Sequence, residues 1–262
     1  MATFAHSFRS SLALALCLAT SALAQTAPSP SPTPSPIPPS FALLSLVGDE
    51  FTVVTRGEES ASRLDKNLRR SYAIDVAALD DAALDAAEGV LKRLRPVSPV
   101  VRFSIRDPRL FALQDQVLSD AGGLREALAE LLREQQATRL VLVTKRRDDA
   151  KFRIVTGTIG SGKISGLGFY IDPFTRMEQT STGESTFGFL GPYAYIDVTI
   201  VDVETMKPLR SVPARESEMS LPLHSQRAVG AWDALTPAAK VEALVRVVRH
   251  AVETASEQAL AE

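Results

Sequence analysis

The sequence predicts a mixed α/β or α+β domain, in which a mixed sheet with a long central strand is flanked by amphipathic helices. Residues 193–204 (YAYIDVTIVDVE) are apolar on both alternating sets, as in a strand covered on both faces. Residues 80–95 have an apolar stripe at helical spacing, with acidic residues first and basic residues last. Thr236 and Pro237 open a last helix, because Thr is a favoured N-cap and Pro suits the first helical position.

Shorter segments complete the predicted domain. Two strand-like runs, 42–47 and 51–55, flank Gly48-Asp49, and this pattern predicts a β-hairpin. Four leucines at helical spacing predict a second amphipathic helix: Leu124, Leu128, Leu131 and Leu132. Further strands are predicted at 100–105, 139–144, 152–159 and, returning beside the central strand, 206–218.

The first 24 residues are typical of a secretory signal peptide. An apolar run, Leu12 to Leu18, precedes Ala22-Leu23-Ala24, which is a cleavage signal before Gln25. We therefore expect cleavage after Ala24 and export to the periplasm or the medium. The alternative is lipidation at Cys17, although bulky Leu16 stands where a lipoprotein signal has a small residue.

A proline-rich linker follows the predicted signal. In TAPSPSPTPSPIPPS (26–40), Pro alternates with Ser and Thr, a composition that favours an extended, polyproline-like spacer. This segment is either a tether or a disordered tail. The predicted organisation is a signal peptide at 1–24, a linker at 25–40 and an α/β domain at 41–262. No later stretch reaches about 18 apolar residues, so no transmembrane helix is expected.

The composition argues against several classes of function. The chain has 262 residues and a net charge of −2, which does not support a basic nucleic-acid-binding domain. The single cysteine lies in the predicted signal, and only His224 and His250 follow it, so thiol chemistry and a Cys-bound zinc are not expected. The sequence contains neither G-x-S-x-G nor S-x-x-K. We therefore expect no catalytic residue, no metal and no cofactor.

The segment GTIGSGKISG (157–166) is one residue short of a phosphate-binding P-loop. Ile164 stands where the P-loop has a hydroxyl that ligates Mg²⁺. Gly166 and Gly168 occupy what would be the first turn of the following helix, where each costs about 1 kcal/mol relative to Ala. Nucleotide binding is therefore not expected.

The same segment predicts a strand with one bare face. In an extended chain, four alternate glycines share a side: Gly160, Gly162, Gly166 and Gly168. We expect nearby aromatic side chains to cover this face, namely Phe187, Phe189, Tyr193 and Tyr195. The alternative is a flexible glycine-rich hairpin tip.

Residues 173–191 lack clear periodicity and are predicted to form a long loop. Loops of this length inside a compact domain are often binding loops or mobile lids. Side chains of the types that anchor protein interfaces make five residues the candidate binding site: Phe174, Arg176, Met177, Phe187 and Phe189. The alternative is a poorly ordered surface insertion.

The second half of the chain combines several recognisable features. An amphipathic helix leads into ATRLVLV (137–143), and YIDVTIVDVET (195–205) precedes PLRS (208–211) and a long final helix. Residues 120–262 thereby resemble bacterial envelope accessory domains of the TolB amino-terminal type, which include the curli-secretion lipoprotein. Met206 stands where that group has Gly at a turn.

The resemblance implies a non-enzymatic role through protein contacts, and it transfers no site residue. We therefore expect an exported accessory protein that binds another envelope protein, as a monomer or a homo-oligomer. The alternative is a secreted hydrolase with a carboxylate site, for which Asp172 and Asp202 are the candidates.

Overall fold

The computed structural model describes residues 38–48, 50–58, 65–74, 77–105, 108–119, 123–155, 157–178, 183, 185–220 and 228–261. The predicted signal peptide and all but the last three residues of the predicted linker lie outside these ranges. The predicted fold class is confirmed, because a large mixed sheet lies between helices.

The elements alternate along the chain without segregation into an all-helical or an all-strand half. The strands are β1 Phe41–Leu46, β2 Glu50–Thr55, β3 Leu68–Ala73, β4 Val100–Phe103, β5 Arg139–Lys145, β6 Arg147–Asp149, β7 Phe152–Ile154, β8 Gly157–Ile159, β9 Lys163–Glu178, β10 Ser185–Asp202 and β11 Lys207–Ser217. The helices are α1 Ala78–Leu94, α2 Pro108–Ala112, α3 Leu124–Glu134, α4 Ala228–Ala234 and α5 Pro237–Leu260.

The predicted central strand is β10, which pairs with three other strands of the sheet. Its residues 193–202 pair with β11 on one side. On its other side, residues 196–202 pair with β5 and residues 185–195 pair with β9. Strands β5 and β9 therefore lie end to end along β10, because the chain leaves the ladder after Lys145 and rejoins it further along.

The predicted hairpin at Gly48-Asp49 is wrong. Strand β1 pairs in parallel with β4 and β5, whereas β2 pairs in parallel with β9. Since β5 and β9 run in one direction, β1 and β2 do too, and the chain does not reverse between them. Between β1 and β2, the N–H groups of Val47 and Gly48 donate to the carboxylate of Asp80, in the first turn of α1. These hydrogen bonds hold the segment that separates the two successive strands.

Both faces of the sheet are covered. Helices α1 and α5 pack on one face and against each other. The opposite face divides into two clusters, one beneath α2 and α3 and one beneath the β7–β8 hairpin. The alternation of strand side chains explains this division, since even-numbered residues of β10 face α5 and odd-numbered ones face the two clusters.

The main helices match the prediction. Helix α5 begins as expected, with Ala239 N–H donating to Thr236 Oγ1 at 3.2 Å and Pro237 in the first turn. One predicted strand, 152–159, differs, because residues 152–154 and 157–159 form the two short strands β7 and β8, with a turn at Val155. None of the helices in the described part of the chain is long and apolar enough to span a membrane.

Met206, at the turn between β10 and β11, adopts φ = 52°. This left-handed conformation favours glycine and is costly for a side chain. The Met206 side chain is nonetheless 4% exposed and packs in the cluster beneath α3. Burial of this apolar side chain offsets the backbone cost.

Candidate functional site

The predicted loop at 173–191 is instead a two-stranded ribbon. Residues 176–178 of β9 pair with 185–187 of β10, and no other strand in the described part of the chain pairs with residues 173–178 or 185–188. The side chains of the two segments alternate in exposure, as expected for strands. The sequence does not reveal this alternation, because polar residues lie on both sides of the ribbon. We call residues 173–178 and 185–188 the ribbon. Residues 179–182 and 184, which connect its strands, lie outside the described residues.

A bulge in β9 forms the base of the ribbon. Asp172 is opposite Phe189 and Arg176 is opposite Phe187, so β9 has two more residues than β10 in this interval. Asp172 Oδ1 accepts the N–H groups of Phe174 at 2.8 Å and Thr175 at 2.9 Å. The carboxylate therefore closes the bulge as an Asx-type turn.

A buried ion pair fixes this base to β2. Arg56 Nη1 lies 2.8 Å from Asp172 Oδ2 and 3.0 Å from Thr175 Oγ1, and the Thr175 hydroxyl donates to the same carboxylate oxygen at 2.7 Å. The Asp172 side chain is fully buried. The guanidinium carbon of Arg56 is also 6.0 Å from the centre of the Phe174 ring. The ribbon therefore extends from a base that these contacts hold in place.

The charged form of Asp172 is stabilised. Burial by itself would raise its pKa, but hydrogen bonds from the Thr175 hydroxyl, the Thr175 and Phe174 N–H groups and Arg56 outweigh burial and lower the pKa. A carboxylate with a lowered pKa is a weak base at neutral pH. This geometry makes Asp172 a structural group and not a proton acceptor.

The structure separates the five predicted binding residues. Phe174 and Phe187 are 43% and 59% exposed, and Arg176, the register partner of Phe187, is also exposed. Met177 is half-buried and pairs with Thr186. Phe189 is fully buried and contacts Phe152 and Tyr170, so it offers no binding surface. The candidate surface is therefore Phe174, Arg176 and Phe187.

Arg56 was not found from the sequence. It lies 116 residues before Asp172, so no spacing indicates their contact. The spacing of Asp172 and Thr175 is the one local feature of the sequence that indicates the turn at the base of the ribbon, because Asp and Thr three residues apart commonly cap a turn.

The P-loop-like segment has no helix after its lysine. Lys163 is the first residue of β9, and its ammonium pairs with Asp149 at the surface. Tyr193 hydroxyl would lie 2.7 Å from a Cβ on Gly168, and the neighbouring rings of Tyr170, Phe189 and Tyr195 share the same cluster. Of the expected rings, only Tyr193 thus covers one of the four glycines, Gly168. A Cβ on Gly162 or Gly166 would instead meet the side chain of Asn67 or Lys145, and Phe187 is exposed, so the predicted aromatic cover of the whole glycine face is wrong.

The second carboxylate candidate is also held by an arginine. Asp202 Oδ2 lies 2.6 Å from Arg139 Nη1, and its Oδ1 accepts the Thr205 N–H at 3.0 Å. The Thr205 hydrogen bonds lower the pKa of Asp202. Asp202 is at the far end of β10 from the ribbon, so it forms no carboxylate pair with Asp172. The described residues contain no group of three or more metal-ligating side chains.

Neither family models nor curated proteins match this chain. Among solved structures, the chain is similar to PelC from Paraburkholderia phytofirmans, a dodecamer, with 9% identity over 86% of this chain and 89% of that one (TM-score 0.32). Lipoprotein GNA1162 from Neisseria meningitidis shares 10% identity over 75% and 94% (TM-score 0.28). Hypothetical protein CT253 from Chlamydia trachomatis shares 14% over 83% and 98% (TM-score 0.27). At such TM-scores the likeness supports no inference about function or assembly.

Proposed function

We propose that this chain is an exported, non-catalytic accessory protein of the bacterial cell envelope that binds another envelope protein through the ribbon. The observation that carries the proposal is that Phe174, Arg176 and Phe187 are all exposed on two paired strands with a fixed base, with Arg176 opposite Phe187. Aromatic and arginine side chains contribute most of the binding energy at protein interfaces.

The geometry of the ribbon favours a protein partner. Its base is held by the Arg56–Asp172 pair, so the exposed rings are presented with little loss of backbone freedom on binding. Two half-exposed phenyl rings supply apolar area, and the Arg176 guanidinium supplies directional donors to a carboxylate or a carbonyl of the partner. Arg176 is already oriented by its hydrogen bond to Ser185 Oγ at 3.0 Å.

The predicted N-terminal organisation supports an envelope location. A signal peptide at 1–24, cleaved after Ala24, would deliver the domain beyond the cytoplasmic membrane. The linker at 25–40 would then leave the domain free to reach a partner. Cell fractionation of the full chain, with mass-spectrometric identification of the mature N-terminus, tests both statements.

The binding experiment is an in-cell crosslinking pull-down of the full chain and a double variant, Phe174→Ser with Phe187→Ser. Loss of two interface aromatics is expected to weaken capture of one envelope protein at least tenfold. The matched control is Val97→Ser with Leu209→Ser, at residues that are 77% and 56% exposed and lie outside the ribbon. The control is expected to capture that protein like the wild type.

Two outcomes would overturn the proposal. One is equal capture by the wild type and the ribbon variant, provided both are folded by circular dichroism. The other is that neither the wild type nor the control captures a specific envelope protein. An Arg176→Ala variant adds a separate measurement, because loss of the charge alone is expected to weaken capture less than loss of both rings.

A further inference from the structure

An apolar cavity of about 170 Å³ lies between α3 and the carboxyl ends of β1 and β4. Its lining is aliphatic and includes Leu44, Leu46, Val117, Ala127, Leu128 and Leu131. None of these lining side chains is polar or charged. The cavity shares no residue with the ribbon, so it is independent of the proposed function.

The cavity has a closed floor and an open side. Leu44, Leu46 and Val117 form the buried floor and are at most 2% exposed. On the other side, Ala127 is exposed and Leu131 is 41% exposed, both on α3. A ligand can therefore enter beside α3 while its other end remains in water.

The position in the fold is one where ligands bind in sheets with parallel strands. Strands β1 and β4 are parallel, Leu46 is the last residue of β1, and Ile105 follows the end of β4. Crevices outside the carboxyl ends of such strands are common binding sites. Here α3 covers the crevice, and Leu131 of that helix is 41% exposed at its open side.

The dimensions and walls of the cavity specify its ligand. An apolar protein cavity of about 150 Å³ stays dry and takes up a molecule of the size of benzene. This cavity is similar in volume, so it accommodates about six to eight carbon atoms. Its walls are aliphatic throughout, and the lining residues include no ring on which an aromatic ligand would stack.

From these observations we infer that the cavity binds the end of an unbranched aliphatic chain, such as that of a fatty acid, with the polar head group in solvent beside Ala127 and Leu131. The hydrocarbon is the recognised part, because the cavity supplies dispersion contacts and no hydrogen-bonding side chain. Binding would also cover the exposed part of Leu131.

Methyl NMR of the full chain, titrated with octanoate below its micellar concentration, tests this inference. Saturable shifts are expected for the methyl groups of Leu44, Leu128 and Leu131. Ala127→Phe places a ring in the cavity and is expected to raise the Kd at least tenfold. Glu130→Phe, at an exposed position of α3 outside the lining, is the matched control and should leave the Kd within twofold.

Each alternative result is decisive. Absence of saturable shifts in the wild type, or a folded Ala127→Phe with unchanged affinity, overturns the inference. If Ala127→Phe does not fold, Ala127→Leu replaces it and must weaken octanoate at least threefold. A titration with benzene distinguishes the ligand class, because binding of benzene without binding of octanoate overturns the assignment of an aliphatic chain.

Discussion

The Tyr170 hydroxyl donates a hydrogen bond to the carbonyl oxygen of Ser161 and accepts one from the Ser161 N–H, each at 3.0 Å. Tyr195 makes the same pair of bonds with Lys151, donating to its carbonyl oxygen at 3.1 Å and accepting from its N–H at 2.9 Å. Two tyrosines on the face of the sheet thereby hold both sides of the β7–β8 hairpin. The glycine-rich segment is fixed by these bonds and is not a free loop.

Removal of either hydroxyl should destabilise the domain. Tyr170→Phe and Tyr195→Phe each leave two backbone groups without their partner, which costs about 1–2 kcal/mol of unfolding free energy. Urea denaturation measures this cost, and amide hydrogen exchange at Ser161 or Lys151 should become faster in the corresponding variant. Tyr72→Phe, at a 39% exposed ring, is the control and should change stability by less than about 0.5 kcal/mol. Unchanged exchange at Ser161 in Tyr170→Phe would contradict this account.

Gly168 is a position where the fold has no room for a side chain. A Cβ there would lie 1.9 Å from the backbone oxygen of Thr52, on the neighbouring parallel strand β2. Gly168→Ala must displace β2, so we expect a loss of more than about 3 kcal/mol, or no folded protein.

The control for Gly168→Ala is the same substitution in α1. Nothing lies within 4 Å of a Cβ on Gly89, which is exposed in the helix. Gly89→Ala is expected to stabilise the domain by up to about 1 kcal/mol, because alanine has the higher helix propensity. Thermal unfolding of both variants measures the contrast, and equal melting temperatures would refute it.

The two central residues of the P-loop-like segment should differ strongly in their effect on stability. Gly162 has φ = 78°, and a Cβ there would lie 2.4 Å from the Asn67 side chain, so Gly162→Val should cost at least about 2 kcal/mol. Lys163 pairs with Asp149 between half-exposed side chains, and Lys163→Ala should cost less than about 0.5 kcal/mol. Chemical denaturation tests both, and a large loss from Lys163→Ala alone would count against a purely structural segment.

Asp172 should make stability depend on pH. Its pKa is lowered in the native state, so the native carboxylate holds fewer protons than the unfolded one near their titration range. Its contribution to the unfolding free energy is fully present above its ordinary pKa of 3.8 and is lost as pH falls through the lower native pKa. Asp172→Asn should therefore cost about 3 kcal/mol at pH 7, as for the loss of one partner of a buried ion pair, and the difference from wild type should shrink below pH 4.

Denaturation of both proteins from pH 2.5 to 7 checks the sign of this dependence. Asp233→Asn removes a carboxylate at an exposed position of α4 and serves as the control for the loss of charge. Its difference from wild type is expected to remain small throughout. A difference for Asp172→Asn that grows on acidification would show that the Arg56 pair does not stabilise the native state.

The sequence predicted elements whose signal is local. Thr236 caps α5, and residues 193–202 of the apolar run lie in the buried central strand, since a cap or a strand face is specified by nearby residues. The strand character of 173–178 was missed because both sides of a ribbon meet solvent, so polar and apolar residues do not separate.

Contacts between distant residues depend on the tertiary structure alone. The break at Val47 and Gly48 looks like a hairpin turn in the sequence, and only the pairing of β1 with β5 and of β2 with β9 shows that the chain continues in one direction. The candidate surface likewise became three residues once Phe189 was found in the core and Met177 was found half-buried. Local patterns fix the elements, whereas the register of long-range pairing decides which side chains are left exposed, and no local spacing encodes that register.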